Sequence, residues 1–318
     1  MNSKTDRRGF LSQSAKLALM TATGVAFSGG AAQATPPVES GKLSSRLKTS
    51  LNAFSFNVAM TKGLAGNGPD MTLLDVVHFC ALHNIDAIDP TGYYFPGYPE
   101  PPSDAYIATF KRRAFDLGVD ISGTGIRNNF ATADVAVRQA GVERAKRWIE
   151  VAAKLGAPVI RVFAGAEEAG VDRAHINRWM ADDLRTCAEY GKQYGVVVGV
   201  QNHNDFLRNA AQTIEMVKLV DHPWLGVILD TGNFRDNPYE DIEAVLPHTV
   251  NFQLKESPYG KDSKVPIDLN RFVRMLRASG YRGYVPIETL TPDGANPDQR
   301  VEVPRFMAEV KAAFYAST

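Results

Sequence analysis

Four apolar runs in the second half of the chain each stop on a polar side chain able to bind a metal ion or an oxygenated substrate. They read VVVGVQNH (196–203), LGVILDTGN (225–233), TVNFQLKE (249–256) and YVPIETL (284–290), and they stop on Gln201, Asp230, Gln253 and Glu288. Two of these are carboxylates and two are carboxamides. Together they would offer a cation four hard oxygen donors, and Glu288 is the candidate base or acid for moving a proton at a sugar carbon. An amide cannot serve as such a base, so position 201 is confined to binding. Residues two apart on a strand share a face. His203 therefore lies on the side of Gln201, and Lys255 on the side of Gln253. His203 could be a second acid or base near neutral pH, or a loop histidine that orients a ligand or caps a helix. Lys255 could polarise a carbonyl or hydroxyl oxygen, or pair with Asp230 or Glu256. Asn233 either touches substrate or is the left-handed residue of a turn.

A second group of polar residues ends the strand-like runs of the first half. Arg161 (in VIRVFAG) and Arg127 (in GTGIRNNF) could each grip a carboxylate or hydroxyls by a forked contact, or close a salt bridge. Asp89, at the end of NIDAIDP, could bind a sugar hydroxyl. The irregular segment 90–103 follows it. There Tyr93, Tyr94, Phe95 and Tyr98 offer flat apolar surface for the C–H face of a sugar ring, or else form a loop core or a homodimer contact.

The elements that must position these residues alternate along the chain. Candidate strands are LKTSLNAFSFN, NIDAIDP, VDISGTGI, APVIRVFAG and the four runs above. Between them lie helices with apolar residues three and four apart. One stripe is Ala145, Trp148, Ile149, Ala152 and Leu155; another is Ile176, Met180, Leu184, Ala188 and Gly191; a third is Leu269, Phe272, Val273 and Leu276. Gly156, Gly195 and Gly280 stand where left-handed helix caps are wanted. Eight strand-then-helix units predict a parallel α/β sheet closed as a (β/α)8 TIM barrel, with its chemistry at the C-terminal rim. An open doubly wound sheet is the alternative, disfavoured because no glycine-rich phosphate fingerprint follows the first strand.

With LDTGN, NFQLKES and PIETL in place, nearly the whole of the chain after residue 46 resembles the xylose-isomerase-like barrels, in particular the sugar phosphate isomerase/epimerase group. That resemblance implies one divalent ion held by a Glu, an Asp, a His and a Glu on successive strands, at the positions of Gln201, Asp230, Gln253 and Glu288 here. Two of the four match in type. An all-oxygen set favours manganese or magnesium over zinc, bound weakly and exchangeably. The alternative is that Gln201 and Gln253 hydrogen-bond the two carboxylates or a sugar directly, with no metal. The resemblance also implies two metal-bound glutamates working on opposite faces of the substrate carbon in epimerases. The amide at 201 removes one of them. What survives is single-base chemistry, either aldose–ketose isomerisation or elimination from a keto-sugar.

Composition bounds the rest. The chain has 318 residues with 35 basic and 35 acidic side chains, which gives no electrostatic footprint for nucleic acid. An endonuclease reading also lacks the extra histidines, since only His78, His83, His175, His203, His222 and His248 exist. The N-terminal DRRGFLSQSAKLALMTATGVAF carries twin arginines, and Ala32-Gln33-Ala34 is an A-x-A cleavage pattern. Residues 1–34 are thus expected to be a twin-arginine signal peptide, 35–46 a linker and 47–318 the barrel, with the mature protein periplasmic and free of the membrane. A periplasmic address favours an unphosphorylated sugar. Cys80 and Cys187 fall in different helices and are expected as buried free thiols. The sequence therefore predicts a metal-assisted isomerase or lyase for a small carbohydrate. A dehydratase of the dehydroshikimate or inosose kind, or a carbohydrate-binding protein without turnover, are the competing readings.

Overall fold

The computed structural model describes residues 45–203, 206–256, 266–290 and 298–316. The expected signal peptide lies outside them. Among the described residues nine parallel strand pieces form the wall: β1 (Arg46–Asn52), β2 (Ala87–Asp89), β3 (Asp120–Ile121), β4 (Thr124–Gly125), β5 (Val159–Phe163), β6 (Val197–Gln201), β7 (Leu225–Asp230), β8 (Thr249–Gln253) and β9 (Arg282–Ile287). They pair in the orders β3-β2-β1-β9 and β4-β5-β6-β7-β8. The predicted third strand, VDISGTGI, is broken at Ser122-Gly123 into β3 and β4, which pair with β2 and β5 respectively. A Cβ at residue 123 would stand 2.8 Å from Asn251 Nδ2 and 3.0 Å from Asp89 Oδ2, so polar side chains fill the space at the break. At the other seam, Leu254 bridges to Ile287: Leu254 N donates to Pro286 O and Glu288 N to Leu254 O, at 2.8 and 2.9 Å. That closing contact sets Lys255 and Glu288 side by side.

The helices follow the predicted pattern. They are α1 (Asn57–Thr61), α2 (Leu73–Leu82), α3 (Asp104–Asp116), α4 (Val135–Leu155), α5 (Arg173–Tyr194), α6 (Ala210–Val220), α7 (Pro238–Val245), α8 (Leu269–Ser279) and α9 (Gln299–Tyr315). All five residues of the stripes on α4 and α5 are buried, as are Phe272, Val273 and Leu276 of α8, with Leu269 at the margin. Gly156, Gly195 and Gly280 cap α4, α5 and α8 in the left-handed conformation. The predicted first strand is shorter than LKTSLNAFSFN. The Asn52 side chain accepts a hydrogen bond from Phe54 N, and this turns AFSF into a 3-10 segment. Cys80 and Cys187 are buried and free. Among the described residues no helix is long and apolar enough to cross a membrane.

Beneath the rim, polar side chains share the barrel interior with branched aliphatic ones such as Val159 and Ile228. Ser50 Oγ and Ser122 Oγ share a hydrogen bond of 2.7 Å, and Asn251 Nδ2 donates to Ser122 O at 3.2 Å. The wall thus carries polar groups from its centre up to the rim, where the candidate site lies.

Candidate active site

Gln201, Asp230, Gln253 and Glu288 converge. β6, β7 and β8 are adjacent strands: Gln201 stands opposite Ile228, two residues before Asp230, and Asp230 stands opposite Gln253 beyond an irregularity at Val227/Ile228, and their last inward side chains meet. Gln201 Nε2 donates to Asp230 Oδ2 and to Gln253 Oε1, both at 2.6 Å. Gln201 Oε1 accepts from Arg161 Nη1 at 3.1 Å. The amide's orientation follows from its neighbours: a guanidinium only donates and a carboxylate only accepts.

The position between the two carboxylates is filled by Lys255. Its Nζ lies 2.8 Å from Asp230 Oδ2 and 3.3 Å from Glu288 Oε1, and the three side chains are 12 %, 0 % and 6 % exposed. Asp230 is held from every side. Its Oδ1 accepts from Gly232 N at 3.0 Å, and the Asn202 side chain accepts from its N–H and donates to its carbonyl at 2.8 and 2.9 Å. Burial alone would drive the Lys255 amine towards neutrality, but Asp230 and Glu288 more than reverse this and hold it protonated. Burial also raises Glu288 above the ordinary glutamate range, with Lys255 opposing.

A divalent ion does not fit this donor set as it stands. It would have to displace the Lys255 ammonium. Gln201 would also have to turn its oxygen from Arg161 and set its NH2 against a guanidinium that can only donate. Among the described residues no group of three His, Cys, Asp or Glu is placed to hold a metal. The four residues expected to hold manganese or magnesium, Gln201, Asp230, Gln253 and Glu288, do assemble, here as a hydrogen-bonded cluster around a lysine.

Above this cluster a cavity of about 430 Å³, its open mouth included, is lined by Gln201, Gln253, Lys255 and Glu288 on one side. Arg161, Tyr93, His203 and Phe163 face them. Arg161 is buried, stacks 4.1 Å over the Phe163 ring, and donates through Nη2 to Tyr93 Oη. It passes close over β4, where a Cβ at Gly125 would stand 2.5 Å from its Nε. His203 packs edge-on against Phe163, with centroids 5.1 Å apart. Of the aromatic loop only Tyr93 lines the cavity. Phe95 is buried against Trp148 and Phe110 as a loop core.

Three expected substrate contacts lie elsewhere. Asp89 does not line the cavity; it is buried, 3.4 Å from Asn251 Nδ2. Its carboxyl is pushed up to about 7 by burial, with Arg161 opposing and Glu288 adding. Asn233 turns back to donate to Asn202 O at 3.2 Å, bracing the Asp230 turn. Arg127 stacks over the outer side of the Tyr93 ring at 4.4 Å. Conversely, Asn52 and Thr91 line the cavity unforeseen. They sit at the ends of β1 and β2 with Thr91 Oγ1 donating to Asn52 Oδ1 at 3.2 Å. Asn52 is the last residue of its strand, the same signal that marked Gln201 and Gln253.

A family model, the xylose isomerase-like TIM barrel, matches residues 77–310, most of the chain. The chain belongs to the xylose isomerase-like TIM barrel family. Its curated relatives include a 3-dehydroshikimate dehydratase of Pseudomonas putida, 22 % identical over 246 residues that make up 72 % of this chain and 37 % of the relative. They also include an L-ribulose-5-phosphate 3-epimerase of Salmonella paratyphi B, 24 % identical over 192 residues, 57 % of this chain and 66 % of that one. The match thus spans from about a third to just under two thirds of these relatives' lengths. Among solved structures, D-psicose 3-epimerase superposes with a TM-score of 0.66 at 20 % identity, covering 85 % of this chain and 98 % of that one. The 3-keto-D-glucoside 4-epimerase of E. coli does so at 0.64 and 15 %, covering 84 % and 99 %. These structural likenesses carry the barrel fold.

Proposed function

We propose that the protein is a carbohydrate isomerase or lyase that acts on an unphosphorylated sugar or keto-sugar by moving one proton with one base. The observation that carries this reading is that Glu288 is the one carboxylate among the described cavity-lining residues, while the opposite position is an amide tied to Arg161. Glu288 takes a proton from the carbon beside a carbonyl, and the resulting enediolate has two fates. Return of the proton to the neighbouring carbon is isomerisation; departure of a hydroxyl or glycosidic oxygen from the β-carbon is elimination. Inversion by two carboxylates on opposite faces is not available to Gln201. Arg161 and Tyr93 bind hydroxyls on the far wall, and His203 at the cavity side is the candidate proton donor to a leaving oxygen.

The substrate reading is supported by the cations of the lining: Lys255 is already ion-paired with Asp230 and Glu288, and Arg161 is hydrogen-bonded to Gln201 and Tyr93. This leaves little for a phosphate. It also accords with the export signal expected of residues 1–34, for which we propose a periplasmic destination. Elimination of water is the second reading, favoured by the dehydroshikimate dehydratase among the relatives.

The test is NMR of a panel of keto-sugars, glycosides of 3-keto-sugars and 3-dehydroshikimate in D2O with the purified protein. Deuterium uptake at the carbon beside the carbonyl, with an isomerised or dehydrated product, is the expected result, and Glu288→Gln removes both. Saturable binding of these compounds without exchange or product would instead make the chain a carbohydrate-binding protein.

A further inference from the structure

We infer that Lys255 Nζ is the resident cation of this site, neutralising Asp230 and Glu288 in place of a divalent ion and directing its remaining N–H at an oxygen of the bound sugar. An ammonium carries three donors in a tetrahedral arrangement. Two are spent, at 2.8 Å on Asp230 Oδ2 and at 3.3 Å on Glu288 Oε1, and the side chain lines the cavity. The third N–H is left for a ligand.

The lysine is built into this position rather than resting there. Lys255 N donates to Thr231 Oγ1 at 3.0 Å, and Thr231 N donates to Gln253 O at 3.1 Å, which fixes the residue's backbone against the β7 turn. The stem then passes over Gly232, where a Cβ would stand 2.7 Å from Lys255 Cδ. A glycine directly after Asp230-Thr231 is thus what lets the amine return to the carboxylates. The amides are matched to the same arrangement. Gln201 presents N–H groups to Asp230 and Gln253, completing around Asp230 Oδ2 a set of donors that a metal-ligating oxygen at 201 would not supply.

Chemically, the ammonium stabilises negative charge growing on a carbonyl oxygen while Glu288, 3.3 Å away, handles the proton on carbon. This part rests on the proposed carbohydrate reading. The identity of the cation does not, so the two fail separately.

The experiment uses the purified protein as isolated, without chelator. Its manganese, magnesium, iron and zinc are counted by plasma mass spectrometry, and its unfolding temperature is read with and without millimolar manganese chloride and after EDTA. The expected result is below about 0.1 ion per chain and no shift beyond about 1 °C in either condition, since a ligand that does not bind the native state cannot stabilise it. In Lys255→Met, the two carboxylates lose their cation, so the unfolding temperature falls by about 5–10 °C, and millimolar manganese restores about 3 °C or more. Lys255→Arg keeps the charge and gains no manganese response. Near-stoichiometric metal in the wild type, or manganese stabilisation of it, overturns the proposal. So does a Lys255→Met protein as stable as the wild type. If Lys255→Met does not fold, the metal content and manganese response of the wild type and Lys255→Arg still decide.

Discussion

In the proposed reaction Glu288 does work that its neighbours cannot share. Gln201 and Gln253 cannot take a proton from carbon, and Asp230 is fully buried and saturated by Gln201, Gly232 and Lys255. Glu288→Gln keeps the shape and loses the base, so turnover of any substrate found should fall by about 10²–10⁴-fold with little change in unfolding temperature. Steady-state kinetics beside a melting curve check both halves. The pH profile follows from the same residue. Burial raises the Glu288 carboxyl, and the reactive form is the carboxylate. The acid limb of kcat/KM should therefore fall at a pH above that of an ordinary glutamate, and should disappear in whatever residual activity Glu288→Gln retains. An acid limb at the ordinary carboxylate range would place the base elsewhere.

The turn that ends β7 decides where Lys255 goes. Gly232→Ala places a methyl group 2.7 Å from Lys255 Cδ, and the flexible stem is what yields. The variant should stay folded by circular dichroism yet lose about tenfold or more in kcat/KM, because a small displacement at the charged end spoils its alignment. Unchanged kinetics would show that the amine finds its place without that space. At this scale the sequence was informative wherever strands run regularly. β6, β7 and β8 end on Gln201, Asp230 and Gln253, and β9 ends at Ile287 just before Glu288, as their apolar runs predict; the stagger of β6 against β7 and the irregularity at Val227/Ile228 could not be read. Parity also placed Lys255 on the side of Gln253, and its pairing with Asp230 was one of the readings left open; what could not be read is the room that Gly232, in the turn after β7, leaves for that reach. Asp89 and Arg127 stand off the cavity for a related reason, while Asn233 takes the turn role that was left open for it. β2 has three residues and β4 two, so the height at which each side chain emerges is set by stagger rather than by the local run. The break at Ser122-Gly123 is similarly invisible until Asn251 and Asp89, far apart in the chain, are seen filling it.

For the whole molecule, the polar part of the barrel interior links stability to pH. Asp89 titrates near 3.8 when free and at about 7 in the fold, where burial disfavours its charge. The folded state thus binds the proton more tightly. Its contribution is complete below the free value and is lost as pH rises through about 7. Asp89→Asn mimics the protonated acid. It should match the wild type near pH 4 and exceed it by about 1–2 kcal/mol at pH 8, read from urea unfolding at both pH values. A variant less stable than the wild type at pH 8 would mean that the carboxylate is the favoured form. The same closed wall brings β8 and β9 together at the Leu254–Ile287 bridge, and there a lysine and a glutamate from the two ends of the seam meet over Asp230. That meeting neutralises the two carboxylates. It is tested most directly by anomalous diffraction from crystals grown in millimolar manganese. Density for Lys255 Nζ between Asp230 and Glu288, with no manganese peak at the site, is the predicted result. A manganese ion bound by both carboxylates, with the lysine swung out towards solvent, would contradict it.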